Sequence, residues 1–191
     1  KYHPEGGCKQ RGTGGARERG DLEGVYGIGE NTENSEGDGH RTVRLLQGLD
    51  ILVVQDMLRT RTAEMADVIV PAAAGWCESE GTVTNSERRV QRVRRALAPP
   101  AGVRDDIEIL CDLARHMGGD LGQPTSEEIW NELRTLSPIH AGMSYARLEA
   151  MHGLQWPCSD ENHPGEQYLH GRCGARPGGG GERLSSWDGV R

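Results

Sequence analysis

The stretch Leu49–Ala73, LDILVVQDMLRTRTAEMADVIVPAA, decides the fold. It opens on Leu49–Val54 (LDILVV), a nearly continuous apolar run of the kind that marks a parallel strand covered on both faces. It closes on Asp67–Val70 (DVIV), a second buried strand stopped by Pro71, because proline cannot donate to a sheet ladder. Between them Thr60–Ala66 reads as a short helix with Thr60 or Thr62 near its start. Upstream, Leu22–Ile28 (LEGVYGI) reads as a short strand ending in glycines, and Asp38–Gly48 as a helix carrying Val43, Leu45 and Leu46. Strand–helix–strand–helix–strand in this order implies an α/β fold with a parallel sheet and right-handed crossovers.

Downstream, Thr82–Thr84 is a weaker fourth strand candidate, and after Pro99-Pro100 the period becomes helical. Asp105–Met117 spaces Ile107, Ile109, Leu110, Leu113, Ala114 and Met117 along a helix that ends at Gly118-Gly119. Thr125–Leu136 opens on TSEE, a hydroxyl cap followed by acids in the first turn, and Ser144–His152 is a third helix. Residues 1–21 and 171–191 lack hydrophobic periodicity and read as irregular tails. Their Gly, Arg, Ala and Pro bias is what GC-rich DNA yields when translated out of frame, so a non-native origin is one expectation for them. The expected organisation is therefore a tail (1–21), an α/β domain (22–120), a helical extension of it (121–170) and a Gly/Arg-rich tail (171–191).

A hydrophobic fraction of 35%, 28 glycines and nine prolines in 191 residues require the core to be concentrated in the patterned middle. The formal charge of −7 argues against a nucleic-acid surface, despite the cluster Arg88, Arg89, Arg92, Arg94 and Arg95. No apolar run approaches a membrane span and no signal-peptide core is present, so a cytoplasmic protein without membrane contact is expected. The five cysteines form no Cys-x-x-Cys pair, which argues against a zinc ribbon or ferredoxin-type cluster within the chain.

Several constellations carry chemistry, each beside a structural alternative. Gly27-Ile28-Gly29-Glu30-Asn31-Thr32 follows a strand and suits a phosphate-approaching loop, or an ordinary strand-to-helix turn; Thr32 occupies the third glycine's place in a dinucleotide fingerprint. Gln55 and Asp56 sit at the carboxyl end of a strand, where ligands of open parallel sheets dock, and Gln55 offers both donor and acceptor. Asp56 alternatively caps the next helix. Asp105-Asp106 open the long helix, either as a bidentate carboxylate for the two N–H groups of guanine or as a helix cap. Glu80–Gln91 holds two hydroxyls, an amide and an arginine pair, a pyrophosphate clamp or a salt-bridged hairpin. Cys158, His163, His170 and Cys173 invite a zinc reading that their spacing does not favour.

Taken together, GENTENS (Gly29–Ser35), the Leu49–Ala73 stretch, EGTVTNSERRVQRVRRAL (Glu80–Leu97), RDDIEIL (Arg104–Leu110) and GLQWPCSDENHPGEQYLH (Gly153–His170) resemble the molybdopterin oxidoreductases, and among them the formate dehydrogenase catalytic subunits. The resemblance spans about three-quarters of the chain. It implies a Rossmann-like domain gripping the guanine-nucleotide arm of a molybdopterin guanine dinucleotide, which would carry molybdenum or tungsten. It further implies that Gly29, Glu30 and Asn31 form the first cofactor loop with Ser35 nearby, that Gln55 and Asp56 meet the nucleotide, that Thr60 lies in the following turn, and that Asp106 faces the guanine. Two departures stand out: Thr32 replaces the family's usual proline, and Ala72 replaces a serine of some members.

The family's metal-ligating Cys or selenocysteine with its following His, its separate Arg, its iron–sulfur domain and its C-terminal barrel have no counterpart in this sequence. No catalytic or metal-binding residue is therefore expected here, the chain alone should be inactive, and its expected partners are the catalytic subunit's remaining domains and electron-transfer subunits. The alternative is a structural homologue, like the large iron–sulfur subunit of respiratory NADH dehydrogenase, that keeps the fold without the cofactor. A free-standing NAD-binding dehydrogenase domain is disfavoured by Thr32 and by the lack of a hydride-transfer site.

Overall fold

A computed structural model describes residues 22–169. The chain forms two compact units, one containing residues 22–82 and 92–130 and the other 83–91 and 131–169 of the described stretch.

The first unit is built on three parallel strands, β1 (Gly24–Ile28), β2 (Ile51–Asp56) and β3 (Val68–Pro71), in the order β1-β2-β3. Register places Tyr26 beside Val53, Ile28 beside Gln55, and Gln55 beside Val70. Helices α1 (Thr32–Ser35) and α2 (Gly39–Gln47) form the first crossover, and α3 (Arg61–Glu64) the second. The ends of α2 are those expected: the Asp38 side chain accepts from Arg41 N–H, and Gly48 stands at the C-cap.

The core of this unit is Leu52, Val54 and Ala63, with Val25, Leu46, Leu49, Met65 and Ala66 packed around it. Val54 is wholly buried, which contributes about 1.5–3 kcal/mol of transfer free energy. The helical cover lies on the face of Leu52 and Val54, while on the opposite face Gln55 is 1% exposed and the strand ends stay open. Ile51 is 49% exposed, and on β3 Val68 and Ile69 are 46% and 41% exposed. The cause is topological. In a β1-β2-β3 order both right-handed crossovers run the same way, so both lie against the face of Leu52 and Val54.

The short α1 forms although ENTENS is too polar and glycine-flanked to favour an immediate helix. A tertiary contact supplies what local propensity does not: Thr62 Oγ1 accepts from Glu33 N–H at 3.0 Å. Beyond β3 the sheet gains one parallel bridge, Ala72 to Arg104, with Ala73 N–H donating to Arg104 C=O at 2.8 Å. That bridge delivers the chain to α4 (Asp106–His116) at the carboxyl end of the sheet. After it α5 (Ser126–Leu136) begins with a reciprocal cap, in which Thr125 Oγ1 accepts from Glu128 N–H at 3.2 Å and Glu128 accepts from Thr125 N–H at 2.7 Å. The Thr125 N–H, and then its hydroxyl, donate to the Glu128 carboxyl and hold it below its ordinary pKa.

In the second unit the turn between β4 (Gly81–Thr84) and β5 (Arg89–Val93) places Arg88 at φ 66°. β5 pairs antiparallel with β6 (Leu154–Gln155), Val90 lying opposite Leu154. Helix α6 (Tyr145–Ala150) packs its buried Tyr145 and Leu148 into this unit's interior with Met143 and Cys158. Gly153, at φ 100°, has no room for a side chain, because a Cβ there would stand 2.8 Å from Val90 C=O.

Candidate functional site

The carboxyl ends of β1 and β2 gather most of the residues singled out in the sequence. Gly29 leaves β1 in a left-handed conformation (φ 61°), and its N–H donates to Gln55 C=O at 2.8 Å, prolonging the ladder by one bond. That N–H is therefore committed to the sheet. Glu30 and Ser35 bond to each other across the loop, hydroxyl to carboxylate.

Asn31 occupies the N-cap of α1 without capping it through its side chain. Its Oδ1 accepts instead from Thr62 N–H at 3.3 Å and from Thr62 Oγ1 at 2.9 Å. Thr62 is 3% exposed, so its hydroxyl, donating to Asn31 and accepting from Glu33 N–H, is a buried clasp between two helix starts. Asn31 Nδ2 is the end of the amide that Thr62 does not engage.

Gln55 is 1% exposed, and each end of its amide has a partner. The Tyr26 phenol donates to its Oε1 at 2.5 Å, and its Nε2 donates to Asp106 Oδ1. Asp106 can turn to Gln55 because its neighbour takes over the capping: Asp105 Oδ1 accepts from Ile107 N–H at 3.0 Å. Of the two readings of the Asp105-Asp106 pair, the helix cap falls to Asp105. Burial raises the Tyr26 pKa above its ordinary 10.0, and the negative charge of Asp106 raises it further.

Two other residues have local work. Asp56 Oδ1 accepts from Leu58 N–H at 2.9 Å, closing the turn after β2, and Thr60 rather than Asp56 caps α3, accepting from Ala63 N–H at 3.1 Å. Asp56 remains half-buried at the rim beside Gln55.

The residues missed in the sequence are Tyr26, Thr62, and the pair Arg59 and Arg61 in and after the β2 turn. Both arginine side chains are exposed and hold their acids loosely, Arg59 to Glu64 at 4.0 Å and Arg61 to Glu33 at 3.6 Å. Period-2 alternation places Tyr26 on one sheet face with Ile28, but only register shows that it reaches Gln55.

The arginines expected as a pyrophosphate clamp serve the second unit's backbone. Arg88 donates to the carbonyls of Trp156, of Glu166 at 3.2 Å and of Gln167 at 3.0 Å, and lies over the Trp156 ring at 5.4 Å. Arg89 donates to Gly153 C=O at 3.2 Å. Both guanidinium groups are turned to backbone carbonyls of their own unit, which favours the structural reading of this stretch over the clamp. Cys158 is wholly buried, its thiol donating to His163 C=O at 3.3 Å, and the described residues contain no cluster of three metal-ligating side chains. His170 and Cys173, like both tails, lie outside the described residues. No helix among the described residues is long and apolar enough to cross a membrane.

A family model, molybdopterin oxidoreductase, matches residues 9–116, more than half of the chain. The chain belongs to the molybdopterin oxidoreductase family. Within this family it is 45% identical over 148 residues to the F420-dependent formate dehydrogenase subunit alpha of Methanocaldococcus jannaschii, covering 76% of this chain and 22% of that protein. It is 42% identical over 157 residues to the F420-dependent formate dehydrogenase 2 subunit alpha of Methanococcus maripaludis, covering 81% and 23%. A putative formate dehydrogenase of Staphylococcus haemolyticus is 38% identical over 142 residues, covering 74% and 14%. The chain thus spans less than a quarter of the length of these molybdopterin oxidoreductase relatives. Acetylene hydratase from Pelobacter acetylenicus shares the fold, with a TM-score of 0.56 at 18% identity over 76% of this chain and 20% of that one.

Proposed function

We propose that this chain is the guanine-dinucleotide-binding part of a formate dehydrogenase catalytic subunit. The observation that carries the reading is the gathering of the Gly29–Asn31 loop, Gln55 and Asp106 at the carboxyl rim of one parallel sheet, where ligands of such sheets dock. The donor set fits the group. Asp106 supplies an anionic acceptor pair for the N1–H and N2–H of guanine, Asn31 Nδ2 and the half-buried Asp56 suit ribose and base-edge contacts, and Arg59 and Arg61 supply cationic donors for the pyrophosphate. Gly29, Glu30, Ser35 and Thr60 shape the loops around it.

When bound, the cofactor would supply the metal centre and pterin that take electrons from formate as it becomes carbon dioxide. This chain's residues would hold and orient the nucleotide arm, and no side chain of it is assigned to the reacting atoms. Iron–sulfur clusters, the other domains of the catalytic subunit and electron-transfer subunits belong to the same reading, which the formate dehydrogenase relatives support through 38–45% identity.

Because Gln55 and Asn31 also serve the fold, the test is of binding. Native mass spectrometry of the chain, purified from cells that make the cofactor, should detect bound molybdopterin guanine dinucleotide, with loss on Asp106→Ala. A well-folded wild-type chain that never carries it would favour the cofactor-free structural homologue instead.

A further inference from the structure

We propose that Tyr26 is a positioning residue for guanine selectivity, fixing in place the Gln55 amide whose Nε2 holds the Asp106 carboxylate toward the base. The inference rests on the reading of Asp106 as the guanine acceptor.

The argument is one of hydrogen-bond polarity. An amide has an accepting end and a donating end, and at 1% exposure neither end of Gln55 can turn to bulk water. With Nε2 toward Asp106, Oε1 faces the Tyr26 hydroxyl at 2.5 Å and accepts its hydrogen. The phenol could serve either end of the amide, but the Asp106 carboxylate only accepts, so Nε2 faces it and the buried Oε1 depends on the Tyr26 hydroxyl for a donor. Tyr26 thus holds the amide that holds the carboxylate, without touching the base.

Backbone register makes this possible. Tyr26 is beside Val53, two residues from Gln55 on the same pleat face, so the phenol lies one pleat back along the strand from the amide it binds. Phenylalanine at this position would keep the ring and remove only the hydroxyl.

The experiment uses the full chain with GDP and IDP as probes, which differ by the guanine N2 amino group, and measures both affinities by calorimetry. The wild type is expected to favour GDP, Asp106→Asn to abolish the preference, and Tyr26→Phe to reduce it about tenfold, the size of one net hydrogen bond. A merely structural role would weaken both nucleotides alike. A wild type that prefers GDP, with Tyr26→Phe keeping that preference intact, overturns the role of Tyr26 and leaves the reading of Asp106 standing. No preference in the wild type overturns both. Should Tyr26→Phe fail to fold, the wild-type side-chain amide of Gln55 is observed by NMR, its resonance assigned by loss in Gln55→Leu. Slow solvent exchange and a shift on Asp106→Asn are expected; a fast-exchanging, freely rotating amide overturns the proposal.

Discussion

Gln55 and Asp106, 51 positions apart, are joined by a hydrogen bond from the buried amide to the carboxylate at the start of α4. The bond ties the centre of the sheet to the helix that follows it, and it depends on the Ala72–Arg104 bridge that brings the chain back to the sheet's carboxyl end.

Replacing Gln55 by Leu removes both ends of this link while keeping the volume roughly constant. The Tyr26 hydroxyl and Asp106 then lose their partner in a partly buried place. The expected destabilisation is about 1–3 kcal/mol, read from urea denaturation.

The raised Tyr26 pKa has a signed consequence. Because the folded-state value lies above the unfolded 10.0, the contribution to stability is complete below that pH and is lost as pH rises through the folded value. In an ultraviolet absorbance titration, the component lost in Tyr26→Phe should ionise above the ordinary 10.0, and Asp106→Asn should bring it to lower pH by removing the charge contribution. An unchanged titration in the variant would show that the carboxylate charge does not act on the phenol.

The Asn31–Thr62 clasp predicts coupling between residues 31 positions apart. Asn31→Ala and Thr62→Val should each destabilise the chain, and the double variant should cost less than their sum by about 0.5–2 kcal/mol in a double-mutant cycle. Simple additivity would mean that the two side chains act independently.

In the second unit His140 is held below its ordinary pKa of 6.5 by burial, with its Nδ1 at 2.8 Å from Ser137 Oγ and its ring edge-on to Trp156 at 6.4 Å. A base with a depressed folded-state pKa contributes stability that is complete above about 6.5 and is lost as pH falls through the lower value. Thermal melting should therefore soften on mild acidification, and His140→Gln should flatten that dependence. Parallel profiles for the two proteins would assign the softening to other groups.

How much of this was legible in the chain differs by element. β2, β3, α2, α4 and α5 are written locally, in apolar runs, in the Asp38 cap, in the helical spacing after Pro100 and in the TSEE start. α1 was not, because its stability comes from Thr62, which no pattern within ENTENS announces. Which face takes the crossovers was not legible for a related reason: an apolar run shows that burial is wanted, not which side receives a helix.

What the sequence by itself determined is the alternation of apolar strands with capped helices, and through it a parallel α/β sheet whose polar strand ends collect on one rim. Tertiary structure alone decided the partners: Tyr26 with Gln55, Gln55 with Asp106, Asn31 with Thr62, and Arg88 with the carbonyls around Trp156. The physical reason is range. Strand and helix periodicity are set by neighbours a few residues away, whereas a buried amide chooses its donor and acceptor only when register and crossover bring distant residues within about 3 Å.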